Sequence, residues 1–167
     1  MFKLIEPEKL LKLAANEKKG HGRLAAKLKN KKPKKVDEVV HQLHDEAFDE
    51  IDCLECANCC KSLGPRLTSM DIERMAKALK MKTGDFEKQY IRIDEDNDEV
   101  FKSMPCPMLD VDNYCIVYEN RPKACREYPH TDRKNFVQIL NVTLKNTSTC
   151  PVVYQIMEEF KKREREL

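Results

Sequence analysis

Four cysteines stand within the stretch CLECANCC, at Cys53, Cys56, Cys59 and Cys60. Thiols this close along a chain share one task, and that task constrains what the rest of the chain can fold around. The chain has 8 Cys in 167 residues, a length at which a core forms without covalent staples. It opens MFKLIEPEKLLKLAANEKKG, where charges interrupt every apolar pair, and no apolar run reaches the roughly 18 residues of a membrane span. The sequence therefore reads as a cytoplasmic protein with no membrane partner. Thiols in that compartment stay reduced, so clustered cysteines point to metal or redox chemistry ahead of the four disulfides that an even count would also allow.

Charge divides the chain unevenly. Residues 1–35 carry 12 Lys and Arg against 3 acidic residues, whereas residues 36–167 carry 19 against 26. The first segment reads as a basic N-terminal helix or arm, with Leu4, Leu10, Leu11 and Leu13 suggesting a short helix ahead of the Lys-rich KLKNKKPKK. That run lacks an aromatic residue for base stacking, so nucleic acid is expected to bind it only weakly and without sequence preference, and a protein partner is the other use for such an arm. Residues 36–167 are expected to form the cysteine-cluster domain.

Periodicity predicts a helix through VDEVVHQLHDEAFDEI, delivering the chain to Cys53. It holds Glu38 and His41 in the E-x-x-H spacing of di-iron bundles, with His44 beyond, but a single copy lacks the other half of that ligand set. Thr68 and Asp71 have the spacing of a capping box for a helix through MDIERMAKALKM, and a second helix is expected from Thr83. YIRIDED and EVFKSM flank Asn97-Asp98 and read as a hairpin, YCIVY (114–118) as a third strand and NFVQILNVTL (135–144) as a fourth. Pro151 opens a final helix striped by Val153, Ile156, Met157 and Phe160, with Cys150 at its N-terminus, where backbone N–H groups favour a thiolate. The fold class is α+β: a small cysteine-rich metal-binding domain with several helices and a short antiparallel sheet.

The remaining cysteines, Cys106, Cys115, Cys125 and Cys150, are isolated in sequence. A zinc ribbon needs two C-x2-C knuckles, and only one is present. Cys53, Cys56 and Cys59 match the start of the ferredoxin run C-x2-C-x2-C-x3-C-P, but Leu63 occupies its fourth position. Side chains at adjacent positions diverge, so Cys59 and Cys60 are expected to serve two metals or two irons of one cluster. Eight thiols exceed the four that one structural zinc takes, which favours an iron-sulfur cluster over Zn or Fe ions.

The ordered set C-x2-C-x2-C-C, C-P-x-L, C-x-I/V-Y and R-P-x-x-C-R-x-[FY]-P is met by Cys53 to Cys60, by CPML at Cys106, by CIVY at Cys115 and by RPKACREYP at Cys125. It resembles the cysteine-cluster proteins of the YkgJ type, described as a zinc- or iron-chelating domain. The resemblance spans residues 53 to 129 and implies metal binding more firmly than any reaction. The same domain occurs in the longer flagellin lysine methylases, but this chain shows no separate methyl-donor motif. The metal ligands expected are thus Cys53, Cys56, Cys59, Cys60, Cys106, Cys115, Cys125 and Cys150. Arg121 and Arg126, flanking Cys125, are expected to balance the charge of a thiolate-bound cofactor. The functional classes left open are a redox or modification-assisting metalloprotein and a structural zinc module that presents a binding surface; whether the chain is an enzyme is not legible.

Overall fold

The computed structural model describes residues 1–163. In chain order the helices are α1 (Pro7–Leu28), α2 (Pro33–Glu50), α3 (Cys53–Cys56), α4 (Asn58–Ser62), α5 (Ser69–Ala78), α6 (Thr83–Tyr90), α7 (Lys123–Glu127), α8 (Leu140–Asn146) and α9 (Pro151–Arg163). Strands β1 (Ile91–Ile93) and β2 (Glu99–Phe101) pair antiparallel between α6 and α7, with Arg92 opposite Val100. The class is α+β, as expected. The chain folds as two compact units, one made of Met1–Cys53 with Pro129–Leu167 and the other of Leu54–Tyr128. We call them the helical unit and the cysteine unit. The sequence places its boundary at residue 35, where the charge changes sign, whereas this division falls at Cys53 and Pro129.

In the helical unit α1 starts on Pro7, whose missing N–H costs nothing in the first turn, and buries Leu10, Ala14, His21, Leu24, Ala25 and Leu28. Pro33 opens α2 by the same logic, and α2 buries Val36, Val40, Leu43 and Ala47. α9 contributes Val152, Val153, Ile156, Met157 and Phe160. Polar clasps join these helices: Lys161 Nζ lies 2.7 Å from Glu17 and 2.9 Å from Glu158, Glu158 is 2.7 Å from His21 Nε2, and Arg163 is 3.0 Å from Glu46. Gly22, in the middle of α1, has nothing within 4 Å of where a Cβ would sit. Gly22→Ala is therefore expected to stabilise the protein by about 0.5–1 kcal/mol, seen as a rise of a few degrees in melting temperature. A fall would mean that the position is crowded in solution.

The fourth strand expected over 135–144 is helical instead: a 3-10 turn over Phe136–Ile139 runs into α8. Phe136, Leu140 and Thr143 are the buried positions, a spacing of four and three, which is the helical period hidden in an apolar run that also alternates. The Asp37 carboxylate accepts the N–H groups of Asn135 and Phe136 at 2.7 and 2.9 Å and starts the turn. The helix expected to follow Cys150 is present as α9, its expected end at Leu167 lying outside the described residues.

The cysteine unit is built on α5, α6 and the hairpin. Thr68 and Asp71 form the capping box expected for α5, and Ile72, Met75, Phe86, Ile91, Phe101, Met108 and Val117 make one apolar cluster. Asn97, at φ 65°, turns the hairpin. The third strand expected over 114–118 is not formed: Cys115 makes a single bridge to Leu109, and Tyr118–Asn120 is a 3-10 turn. Local bonds take the place of a ladder, since Tyr118 N–H donates to the Cys115 carbonyl and Asn120 N–H to that of Val117.

Candidate metal centre

The C-x2-C-x2-C-C stretch folds as two single-turn helices, α3 and α4, that meet at Ala57. Ala57 is buried in the left-handed region, at φ 47°, and this reverses the chain between Cys56 and Cys59. The sulfurs of Cys59 and Cys60 lie 4.0 Å apart, closer than divergence of neighbouring side chains suggests. Two thiolates on one tetrahedral ion, with bonds of about 2.3 Å, stand about 3.8 Å apart, so the pair suits one ion as well as two irons.

Two further cysteines reach the same place through turns that share one geometry. Cys106 N–H donates to the Cys60 carbonyl at 2.8 Å, fastening the CPML turn to the CC pair. The Met108 backbone favours ionised Cys106 and the Val117 backbone favours ionised Cys115, each against the larger effect of burial. In each turn the N–H three residues on closes back on the cysteine carbonyl, Leu109 on Cys106 and Tyr118 on Cys115, both at 3.0 Å. The turns are held together by the Leu109–Cys115 bridge and by the bond from Ile116 N–H to the Met108 carbonyl at 2.9 Å. An amide donor at sulfur favours the thiolate, the form that binds metal.

Cys125 comes in on α7. The start of α7 is fixed by Asp71, whose carboxylate accepts the Lys123 N–H at 3.0 Å in addition to the Thr68 N–H at 3.1 Å, the Thr68 hydroxyl at 2.7 Å and the Arg74 guanidinium at 2.6 Å. Arg74 in turn donates to the carbonyls of Asn120 and Arg121, at 3.2 and 2.9 Å. Sequence reasoning found Asp71 as a cap but missed it, and Arg74, as the residues that position Cys125. Nothing in the sequence signals a bond between positions so far apart.

Electrostatics tie four of these thiols together. Burial pushes Cys106 up to about 11 and Cys125 up to about 12, and neighbouring cysteine charge adds to both. Burial also raises Cys115, against the Val117 amide and the Arg121 charge. Cys60 moves the other way, to about 7, because Cys59 hydrogen-bonds it and Lys61 lies near, which together outweigh burial. Cys60 charge is felt at Cys106, Cys115 and Cys125 alike. A cation at this place would favour the thiolate at each of them.

The two arginines differ in placement. Arg121 lies 3.9 Å over the Tyr118 ring and its charge favours ionised Cys115 and Cys125. The Arg126 guanidinium donates to the Arg121 carbonyl at 3.0 Å. Cys53 closes the first segment of the helical unit and is exposed; Cys150 is buried in the same unit, its N–H on the Asn146 carbonyl at 2.8 Å. His41 and His44 are engaged structurally, with the Arg133 carbonyl at 3.2 Å and the Thr131 hydroxyl at 2.7 Å. Glu17, His21 and Glu158 also bring ligand atoms within 4.8 Å of one another, but the Lys161 ammonium already bridges the two carboxylates.

A family model, CxxCxxCC, described as "Putative zinc- or iron-chelating domain", matches residues 52–151. The chain belongs to this family. The match begins just before Cys53 and ends just after Cys150, so it takes in all eight cysteines and runs beyond the motif that ends at residue 129. No curated protein and no solved structure matches the chain. Membership supports binding of metal ions. Among the described residues no helix is long and apolar enough to cross a membrane.

Proposed function

We propose that the cysteine unit holds an iron-sulfur cluster through the thiolates of Cys56, Cys59, Cys60, Cys106, Cys115 and Cys125, and that the cluster serves a redox role. The observation that carries this reading is the pair of turns at Cys106 and Cys115. Each turn closes on its cysteine carbonyl at 3.0 Å, the two are bridged to each other, and one of them is bonded to Cys60, so that Cys60, Cys106 and Cys115 converge on one place. The supply of thiols points the same way, since six cysteines fall within the cysteine unit and a structural zinc takes four. Bound there, such a cluster supplies one-electron chemistry. The protein's own part is to lower the cost of its negative charge through the amides of Met108 and Val117 and the Arg121 guanidinium, which Tyr118 and the backbone hold in place. Cys53 and Cys150 are the ligands with least support, both belonging to the other unit.

A zinc reading rests on one specific observation: Cys60, Cys106 and Cys115 all lie near enough to Cys125 for their charge to raise it, and the four together make a tetrathiolate set. In that case the metal is structural and the protein acts through its surfaces. Anaerobic purification followed by iron, zinc and acid-labile sulfide analysis separates the two. Iron and sulfide in matching amounts, with visible absorption that Cys60→Ser removes and Cys150→Ala leaves, is the expected result. Zinc without sulfide would replace the cluster by the structural ion. Full metal content in Cys60→Ser would remove the site itself.

A further inference from the structure

The basic segment is ordered along a helix, and this gives its charge a direction. α1 turns Leu10, Ala14, His21, Leu24, Ala25 and Leu28 inward, and displays Lys9, Lys12, Lys18, Lys19 and Arg23 on its exposed side. Lys12, Lys19 and Arg23 follow at intervals of seven and four, the spacing of a single helical stripe. None of these five makes an ion pair among the described residues, because Glu17, the acidic residue in their midst, is taken by Lys161 at 2.7 Å. Past the end of α1, the exposed Lys29 and Lys32 and then Lys34 and Lys35, in the first turn of α2, extend the charge. Three of the six acidic residues of α2 are engaged elsewhere: Asp37 caps Asn135 and Phe136, Glu46 holds Arg163, and Glu50 accepts the Phe2 N–H.

We infer that this face is a docking surface for double-stranded nucleic acid, gripping the sugar-phosphate backbone without reading bases. A helix of this length is a rod of about 33 Å, over which a duplex presents one phosphate charge per about 1.7 Å, so a rigid row of cations meets a rigid row of anions. An unstructured tail would lose its conformational freedom on binding; cations already fixed on a packed helix do not, beyond their own side chains. A single strand is the poorer fit. Phe2, the aromatic nearest the row in sequence, is buried, and α1 itself offers no ring on which a base could stack. This surface lies outside residues 52–151 and does not depend on which metal the cysteines hold.

The test is fluorescence anisotropy of a mixed-sequence DNA duplex titrated with the full-length, metal-loaded protein over a range of salt. With about five phosphates neutralised, log affinity should fall against log salt with a slope of about −4.5. The triple variant Lys12→Gln, Lys19→Gln, Arg23→Gln should flatten that slope by about 2.7 while leaving melting temperature and metal content unchanged, since these side chains are exposed and make no ion pair. The control triple Lys77→Gln, Lys80→Gln, Lys82→Gln, exposed in the cysteine unit, should keep the full slope. The inference is overturned by an unchanged slope in the α1 triple, or by an equal loss in the control. Tighter binding of the single strand, binding to phosphatidylserine vesicles in place of the duplex, or salt-sensitive self-association without duplex binding would overturn it as well. Metal analysis on the same samples keeps this outcome separate from that of the cluster.

Discussion

Stripping the metal is expected to lower the melting temperature by more than ten degrees, and the affinity for the probe ion Zn2+ is expected to rise steeply with pH. The first effect follows from how little else holds residues 104–128. Their side chains in the core cluster are few, Met108 and Val117 with Cys106 and Cys115 packed against them, and up to the short helix α7 the backbone runs through turns. Where local structure is this sparse, metal-binding energy becomes folding energy, about 10–16 kcal/mol for small structural zinc sites. The second effect follows from the thiols. Cys106 and Cys125, pushed up to about 11 and about 12, and Cys115, raised above the ordinary thiol value, are protonated at neutral pH and must shed protons to bind. Each proton released adds about a tenfold gain in affinity per pH unit, so three give about a thousandfold. Without metal the sign reverses. The raised thiols contribute stability that is present below their ordinary 9.0 and is lost as pH rises through about 11 and about 12. Zinc competition with a chromophoric chelator across about pH 6–8, with melting curves of the chelated protein, reads both. A flat affinity profile, or equal melting points with and without metal, would show that these cysteines are not the ligands.

What could be read from the sequence, and what could not, divides along physical lines. The ordered cysteine set was legible because ligand chemistry is carried by residue type, and the family match bears it out. Helices α2, α5 and α9 were legible because each buries one stripe, and the hairpin because Asn97-Asp98 separates two short apolar runs. The segments 114–118 and 135–144 were misread as strands for a shared reason. An apolar run rich in β-branched residues fits a strand or a buried helix equally well until its neighbours are known, and neither segment has a strand beside it to complete a ladder. Nor could charge show where residues 1–35 belong. Net charge counts side chains on the exposed face, while membership in a unit is decided by the buried one, where α1 carries Leu10, Leu24 and Leu28. The amides of Met108 and Val117 were invisible altogether, because a backbone donor leaves no mark on residue type.

Replacing Asp71 should cost as much as emptying a core position, and it should act at the metal. Its carboxylate is buried at 2 % exposure and accepts from four donors, two on Thr68, one on Arg74 and one on the Lys123 backbone. Asp71→Ala leaves the Arg74 guanidinium half-buried without its counter-charge and the Lys123 amide without an acceptor, a loss of about 3–5 kcal/mol. Asp71→Asn keeps the shape and part of the bonding, and should cost less, about 1–3 kcal/mol. Burial by itself would raise this carboxyl, but the Thr68 hydroxyl, Arg74 and the two amides outweigh it and hold it below the usual 3.8. Its contribution is therefore present above pH 3.8 and drains away as pH falls below that value. Because the Lys123 amide opens α7, freeing it also loosens Cys125, and Arg74 loses its hold on the carbonyls beside Arg121. A capping residue with no further role would lower stability and leave the metal alone. Asp71→Asn is expected instead to speed transfer of the bound metal to a competing chelator at temperatures where the protein remains folded, while Thr68→Ala, which removes only the hydroxyl side of the capping box, should cost about 1 kcal/mol and leave that rate unchanged. Equal transfer rates in the two variants would confine Asp71 to the helix it caps.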